Sequence, residues 1–151
     1  MFKHKGFTLI EILVSISVIA ILATIMWRGL FSFRESYELN HSVGAAFGFL
    51  KDARTRTLAS EGAKQYGVHF EETQIILFDG ASHSPANTIG TFRMPPLVRI
   101  SSINLAGSGQ DVVFLRLTGG TVQFGTIGFE TKRALMQKTV HVLSSGLSEV
   151  Q

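Results

Sequence analysis

Lys5-Gly6-Phe7-Thr8-Leu9-Ile10-Glu11 is followed by sixteen uncharged, mostly apolar residues, 12–27. The stretch joins a basic leader, a glycine at a junction, an aromatic residue at the start of an apolar run, and one carboxylate inside that run. The 21 residues from Phe7 to Trp27 reach about 31 Å as a helix, enough for a bilayer core of about 30 Å. Lys3 and Lys5 place the short N-terminal side in the cytoplasm, Arg28 marks the far interface, and Trp27 suits an interfacial position. Glu11 is the anomaly. A charge among hydrocarbon is costly and calls for a partner and a purpose.

The chain has 151 residues, which leaves room for one membrane segment and one small domain. Its 14 Lys and Arg stand against 11 Asp and Glu, and two of the lysines lie in the leader. The rest is therefore close to neutral, and the basic balance says little about nucleic acid. Cysteine is absent, so neither disulfides nor thiol chemistry contributes.

Three readings of the N-terminus compete. A secretory signal peptide has an apolar region of about 7 to 15 residues and a small-residue cleavage site after it. Here the run is longer, and Ala20-Ile21-Leu22-Ala23 sits too deep within it. A plain signal anchor explains length and orientation but leaves Glu11 without a role. The third reading is a resemblance. Gly6-Phe7-Thr8-Leu9-Ile10-Glu11 resembles, residue for residue, the cleavage and methylation signature of type IV prepilins and type II secretion pseudopilins. The resemblance implies that a prepilin peptidase cuts between Gly6 and Phe7 on the cytoplasmic side and methylates the new amino group of Phe7. It also implies that Glu11 pairs with the N-terminal amine of a neighbouring subunit during assembly. Electrostatics agrees, because a cationic amine a few ångströms from a carboxylate is strongly attractive where the dielectric is low.

No proline interrupts residues 7–60, so the helix is expected to continue as a spine, with Gly29 as a bend and Gly44 and Gly48 as soft points. Val43, Ala46, Phe47, Leu50, Ala53 and Leu58 fall on one face, and Arg34, Glu38, Asp52 and Arg56 largely opposite. The pattern predicts an amphipathic helix lying on a core. Gly44 and Gly48 are expected to let that helix approach its own sheet; as a small-xxx-small pair they also suit contact with another helix. Ser60-Glu61-Gly62 predicts the stop, with Gly62 at the helix C-terminus.

Strands are predicted at residues 66–70 and 74–78, joined by the three-residue loop Glu71-Glu72-Thr73, with the second strand central. Residues 79–96, with Gly, Ser, Asn and three prolines, read as a long irregular loop. A strand follows at 97–105, then a hairpin of 111–117 and 121–125 about Thr118-Gly119-Gly120, then a final strand at 137–143 and a short tail. Helix first and short antiparallel strands after it resembles the GspH/FimT-like group of minor pilins and pseudopilins. Residues 50–59 resemble the Ala-Arg-bearing end of that group's spine. The head resemblance is looser than the N-terminal one.

Histidines 4, 41, 69, 83 and 141 show no metal-ligand spacing, and Ser82-His83-Ser84 is not a nucleophile motif. Walker loops, dinucleotide fingerprints and paired carboxylates are absent. Glu71-Glu72 with Asp79-Gly80 matches no calcium loop. No cofactor, metal or catalytic residue is expected, and the chain reads as a non-enzyme. The basic residues Lys51, Arg54, Arg56, Lys64, Arg93, Arg99, Lys132, Arg133 and Lys138 are dispersed among acids, and the C-terminus lacks the Arg-rich tail of DNA-binding members of the group.

The sequence therefore predicts an α+β chain: a long transmembrane helical spine packed on a small antiparallel β-rich head, in the manner of a pilin. Its expected parts are a leader (1–6), a transmembrane and filament-core helix (7–27), an amphipathic half-spine (28–60) and a head (61–151). Its expected partners are a prepilin peptidase, other pilin or pseudopilin subunits, an inner-membrane assembly platform and, before assembly, membrane lipid. The expected location is the bacterial inner membrane, with the head extracytoplasmic, and then a pilus or pseudopilus. The alternative is a DNA-binding or adhesive tip pilin, using loops such as residues 79–96, and after it a signal-anchored domain with no filament.

Overall fold

The computed structural model describes residues 7–133 and 135–151, and side chains throughout these except at 27–30. Among the described residues one α-helix, α1 (Leu9–Leu58), is followed by eight strands: β1 (Tyr66–Glu71), β2 (Gln74–Asp79), β3 (Thr88–Arg93), β4 (Val98–Leu105), β5 (Asp111–Val113), β6 (Gly125–Thr131), β7 (Gln137–Val142) and β8 (Ser148–Val150). Contacts divide the chain between Arg34 and Glu35, so that α1 belongs partly to each of two units.

In the second unit the strands form two antiparallel sheets, ordered β3-β2-β1-β5 and β4-β6-β7-β8. The buried side of α1 there is Glu35, Leu39, Ser42, Val43, Ala46, Leu50, Ala53 and Thr57. These positions recur every three to four residues, as one stripe of a 3.6-residue helix must. Leu39, Val43, Ala46, Leu50 and Ala53 share a core with Val68, Phe70, Ile75 and Leu77 of the first sheet and Val98, Ile127, Phe129 and Val140 of the second. Phe47 and Leu58, expected on the buried face, are 37% and 41% exposed at its edges. Gly44 and Gly48 also depart from expectation. Both are exposed, and a Cβ at either would meet nothing within 4 Å, so they do not bring the helix to its sheet. The stripe leaves them on the other side.

Thr57 fastens the end of the helix to the first strand. Its buried hydroxyl donates to the Ala53 carbonyl at 2.8 Å and accepts the Tyr66 N–H at 3.0 Å. Ser60, not Gly62, is the first residue in the left-handed region (φ 51), and Gly62 and Ala63 follow it there. The short 3-10 turn Glu61–Ala63 then leads into β1. β1 and β2 pair from Tyr66↔Asp79 to Glu71↔Gln74, so their turn holds two residues, Glu72 and Thr73, and not three. β2 is interior to its sheet, as the apolar run of 75–78 predicts. Gly67 makes that packing feasible: a Cβ there would lie 2.6 Å from the Phe78 ring and 2.9 Å from the Val112 carbonyl.

Three expectations fail beyond this point. Residues 79–96 are not one loop, since they contain the 3-10 turn Pro85–Asn87 and the edge strand β3. The hairpin about Thr118-Gly119-Gly120 is a tight turn, closed by Leu115 N–H to the Gly120 carbonyl at 2.7 Å, but only Asp111–Val113 before it is strand. Gly125 opens the central strand β6 instead of ending one. The chain also ends in β8, where a tail was expected.

Candidate functional site

The first unit is built from a helix start and an apolar cylinder. α1 begins at Leu9, with Thr8 just before it. The Thr8 hydroxyl accepts the Glu11 N–H at 3.3 Å, and the Thr8 carbonyl accepts the Ile12 N–H at 3.3 Å. Thr8 is thus the N-cap, and it satisfies a backbone donor that the first turn would otherwise leave bare. Sequence reasoning missed this role although Thr8-Leu9-Ile10-Glu11 carries the Thr-x-x-Glu signature of a capping box.

Only half of that box is formed. Among the described residues the Glu11 side chain has no hydrogen-bond or ion-pair partner. A carboxylate in the first turn is favoured by the helix dipole, which supplies a partial positive charge without occupying the oxygens. Glu11 is therefore held on a capped, preformed turn with both oxygens available. Of the other predicted site residues, Phe7 is 78% exposed and Gly6 lies outside the described residues.

Behind Glu11 every residue up to Met26 is exposed, including Ile12, Leu13, Val14, Ile16, Val18, Ile19, Ile21, Leu22 and Ile25. Ser15, Ser17 and Thr24 do not disturb this apolar surface, because their hydroxyls donate to carbonyls of the preceding turn at 2.7 to 2.8 Å. α1 is long and apolar enough to cross a membrane. Residues 7–26 bury nothing in their own chain, so their stable surroundings must be lipid or other apolar helices.

Two comparisons bear on this arrangement. Residues 1–27 match the family model of the prokaryotic N-terminal methylation motif. The fold is that of the minor pseudopilin EpsH from the type 2 secretion system of Vibrio cholerae, at a TM-score of 0.56 and 10% identity, over 76% of this chain and 96% of that one. No curated protein is significantly similar in sequence.

The pilin-like head brings together residues that spacing alone could not. His69 lies between two carboxylates, with Nδ1 at 2.5 Å from Asp111 and Nε2 at 3.3 Å from Glu71. The His83 ring stacks on it at 4.4 Å, and the His83 N–H donates to Asp111 at 3.1 Å. Pairing of β1 with β5 makes this cluster, and residues 69 and 111 give no sign of it in sequence. The His41 ring stacks on Tyr37 and meets Phe92 at a tilt. Glu71 and Asp79 sit at opposite ends of β1 and β2, too far apart to share a cation. Four of the basic residues are engaged by carboxylates: Arg56 by Asp52 and Glu61, Lys64 by Asp79, Arg99 by Glu130, and Arg133 by Glu35. The hydrogen bond from Arg56 to Asp52, with the charge of Asp52, holds the Arg56 guanidinium above its ordinary pKa. Lys64 is raised in the same way by Asp79.

Proposed function

We propose that this chain is a minor pilin or pseudopilin, cleaved between Gly6 and Phe7 by a prepilin peptidase and methylated on the new amine of Phe7. Glu11 then pairs with the N-terminal amine of a neighbouring subunit, and an inner-membrane platform assembles the chains into a type IV pilus or type II secretion pseudopilus. The observation that carries this reading is an available Glu11 carboxylate on a capped turn, at the head of an apolar segment that buries nothing in its own chain. Before assembly the segment 7–27 lies in the inner membrane, with its short N-terminus cytoplasmic and the head outside. In the filament neighbouring helices replace lipid, so extraction need not expose residues 12–26 to water. The exposed pair Gly44 and Gly48 leaves room on the spine for such a neighbour.

Mass spectrometry of the chain from cells with active peptidase tests the processing step. A mature N-terminus at methylated Phe7 is expected, and an intact Met1 start would overturn the reading. Glu11→Ala should be processed yet fail to enter filaments, with incorporation reduced at least tenfold. Normal incorporation would remove the docking role. DNA capture by the head is tested separately, since binding that rests on phosphate contacts weakens steeply with added salt.

A further inference from the structure

The turn between Leu115 and Gly120 starts a ladder that the chain does not continue. Phe70 N–H donates to the Gln110 carbonyl at 2.9 Å and Phe114 N–H to the Tyr66 carbonyl at 3.1 Å, so residues 110, 112 and 114 turn their main-chain groups to β1. The N–H and carbonyl of Asp111 and Val113 therefore point away from β1, at the open edge of the first sheet. The Leu115 N–H points the same way and reaches the Gly120 carbonyl at 2.7 Å. Continued in that register, the ladder would pair Val113 with Val122 and Asp111 with Phe124.

The chain takes another course. The Val113 N–H is held by the Gln123 side chain, whose Oε1 accepts it at 3.3 Å and the Thr121 hydroxyl at 3.0 Å. The Phe124 carbonyl accepts the Ala106 N–H at 2.8 Å, which extends the pairing of β4 with β6 by one step. Among the described residues nothing bonds the Asp111 N–H or carbonyl, or the N–H of Val122 or Phe124. An open cleft of about 700 Å³ lies here, lined by His69, Ala81, Gln110, Asp111, Val122 and Gln123.

We propose that residues 121–124 are a strap that leaves Ala106 and closes on the free edge of β5, filling the cleft with a fifth strand of the first sheet. A paired strand residue turns its N–H and carbonyl to one side, so Phe124 serves Ala106 or Asp111 but not both. The two arrangements are exclusive. Closure gives partners to every bare group named above, and it carries Val122 and Phe124, now 62% and 51% exposed, to the face of Val113 and Asp111. Thr121 keeps its bond to the Ser144 carbonyl at 3.0 Å in either arrangement, because that N–H lies on the side away from β5. Glycines bracket the strap as hinges: Gly119 and Gly120 before it, and Gly125 after it, where a Cβ would fall 2.0 Å from the Asn104 carbonyl oxygen. Gln123 is the latch. In the closed register its side chain turns to the face of Val112 and Phe114, both fully buried, where an unpartnered amide is costly. The strap is independent of the filament reading, since every group involved lies in the second unit.

Residue-resolved amide exchange of the detergent-solubilised full chain tests the strap. Gln123→Val removes the latch and adds a strand former. The Asp111, Val122 and Phe124 amides should then slow about tenfold while that of Ala106 quickens about tenfold. Mere stabilisation of the head would slow all four. Unchanged exchange at these amides in the folded variant, or slowing at all four, would overturn the proposal. A second variant keeps Gln123. The chain has no cysteine, so Val113→Cys with Val122→Cys introduces one pair, which the closed register sets about 5.5 Å apart between Cα atoms, within disulfide reach. Oxidation should form that bond within the chain and give the same opposite shifts at Phe124 and Ala106. Thiols that stay free, or a bond that leaves Ala106 protected, would refute closure.

Discussion

Residues 9–26 and 35–58 belong to the same helix, yet they answer to different surroundings. In the first stretch every side chain is exposed, and there is no polar face to set against an apolar one. In the second a single stripe from Glu35 to Thr57 is buried, and Gly44, Phe47, Gly48 and Lys51 lie outside it. The head supplies the solvent for one stretch; apolar surroundings outside the chain must supply it for the other. Helical periodicity is thus a statement about what the chain packs on itself, and its loss marks where packing must come from outside.

The comparison breaks most readily through the core. Phe129 is fully buried, so Phe129→Ala should destabilise the head by about 3–5 kcal/mol, whereas Ile19→Ala, exposed in this chain, should change it by less than about 0.5 kcal/mol. Denaturant unfolding of the detergent-solubilised full chain, followed by amide exchange in the head, separates the two. Equal effects would show that the first stretch is part of the head's core.

A smaller loss is expected at Arg99. The Glu130 carboxylate is nearly buried and takes two bonds from Arg99, from Nη2 at 2.6 Å and Nε at 2.8 Å. Arg99→Ala leaves that carboxylate with Gln137 at 3.3 Å. Because Arg99 itself is half exposed, solvent screening limits the cost to about 1–2 kcal/mol in the same unfolding assay. Arg99→Ala with Glu130→Gln should recover part of it.

Gly44→Ala and Gly48→Ala should move stability the other way. Each Cβ meets open space, so helix propensity should stabilise the head by about 0.5–1 kcal/mol per site. If the bare face receives another helix, filament incorporation should fall while the isolated chain gains stability. A loss of stability would place the glycines against the head after all.

The smallest effect is one of pH. Asp79 raises the pKa of Lys64 on folding, so the pair's contribution is fully present below the ordinary lysine pKa of about 10.4. It is lost as pH rises through the raised value. Lys64→Met should therefore lower the unfolding midpoint slightly at neutral pH and leave it unchanged in strong alkali. A difference that persists there would assign the effect to packing of the lysine stem.

The strands show how far local signals reach. β1, β2, β4 and β7 are legible because alternating or continuous apolar runs meet turn residues within a few positions. β3 is not, since Thr88–Arg93 is a mostly exposed edge strand between proline-bearing segments and, among the described strands, pairs with β2 alone. β6 is hidden differently. Gly125–Thr131 is polar or glycine at five of seven positions and becomes interior because β4 and β7 flank it. Thr8 is legible as a cap, because the Thr-x-x-Glu spacing ahead of an apolar run is a local signal of a helix start.

The sequence by itself determined the N-terminal signature from Gly6 to Glu11, the apolar helix behind it and the order of helix before strands. Each of these depends on neighbours in the chain: a charge among apolar residues, a cap before a turn, a run without proline. Only the tertiary structure decided that Gly44 and Gly48 face away from the sheet, that His69 meets Asp111, and that Gly125 opens an interior strand. Those outcomes depend on which segments are brought together across the sheets and the helix. The physical reason is that chain connectivity sets propensity and charge locally, whereas burial is settled by contacts between residues far apart in sequence.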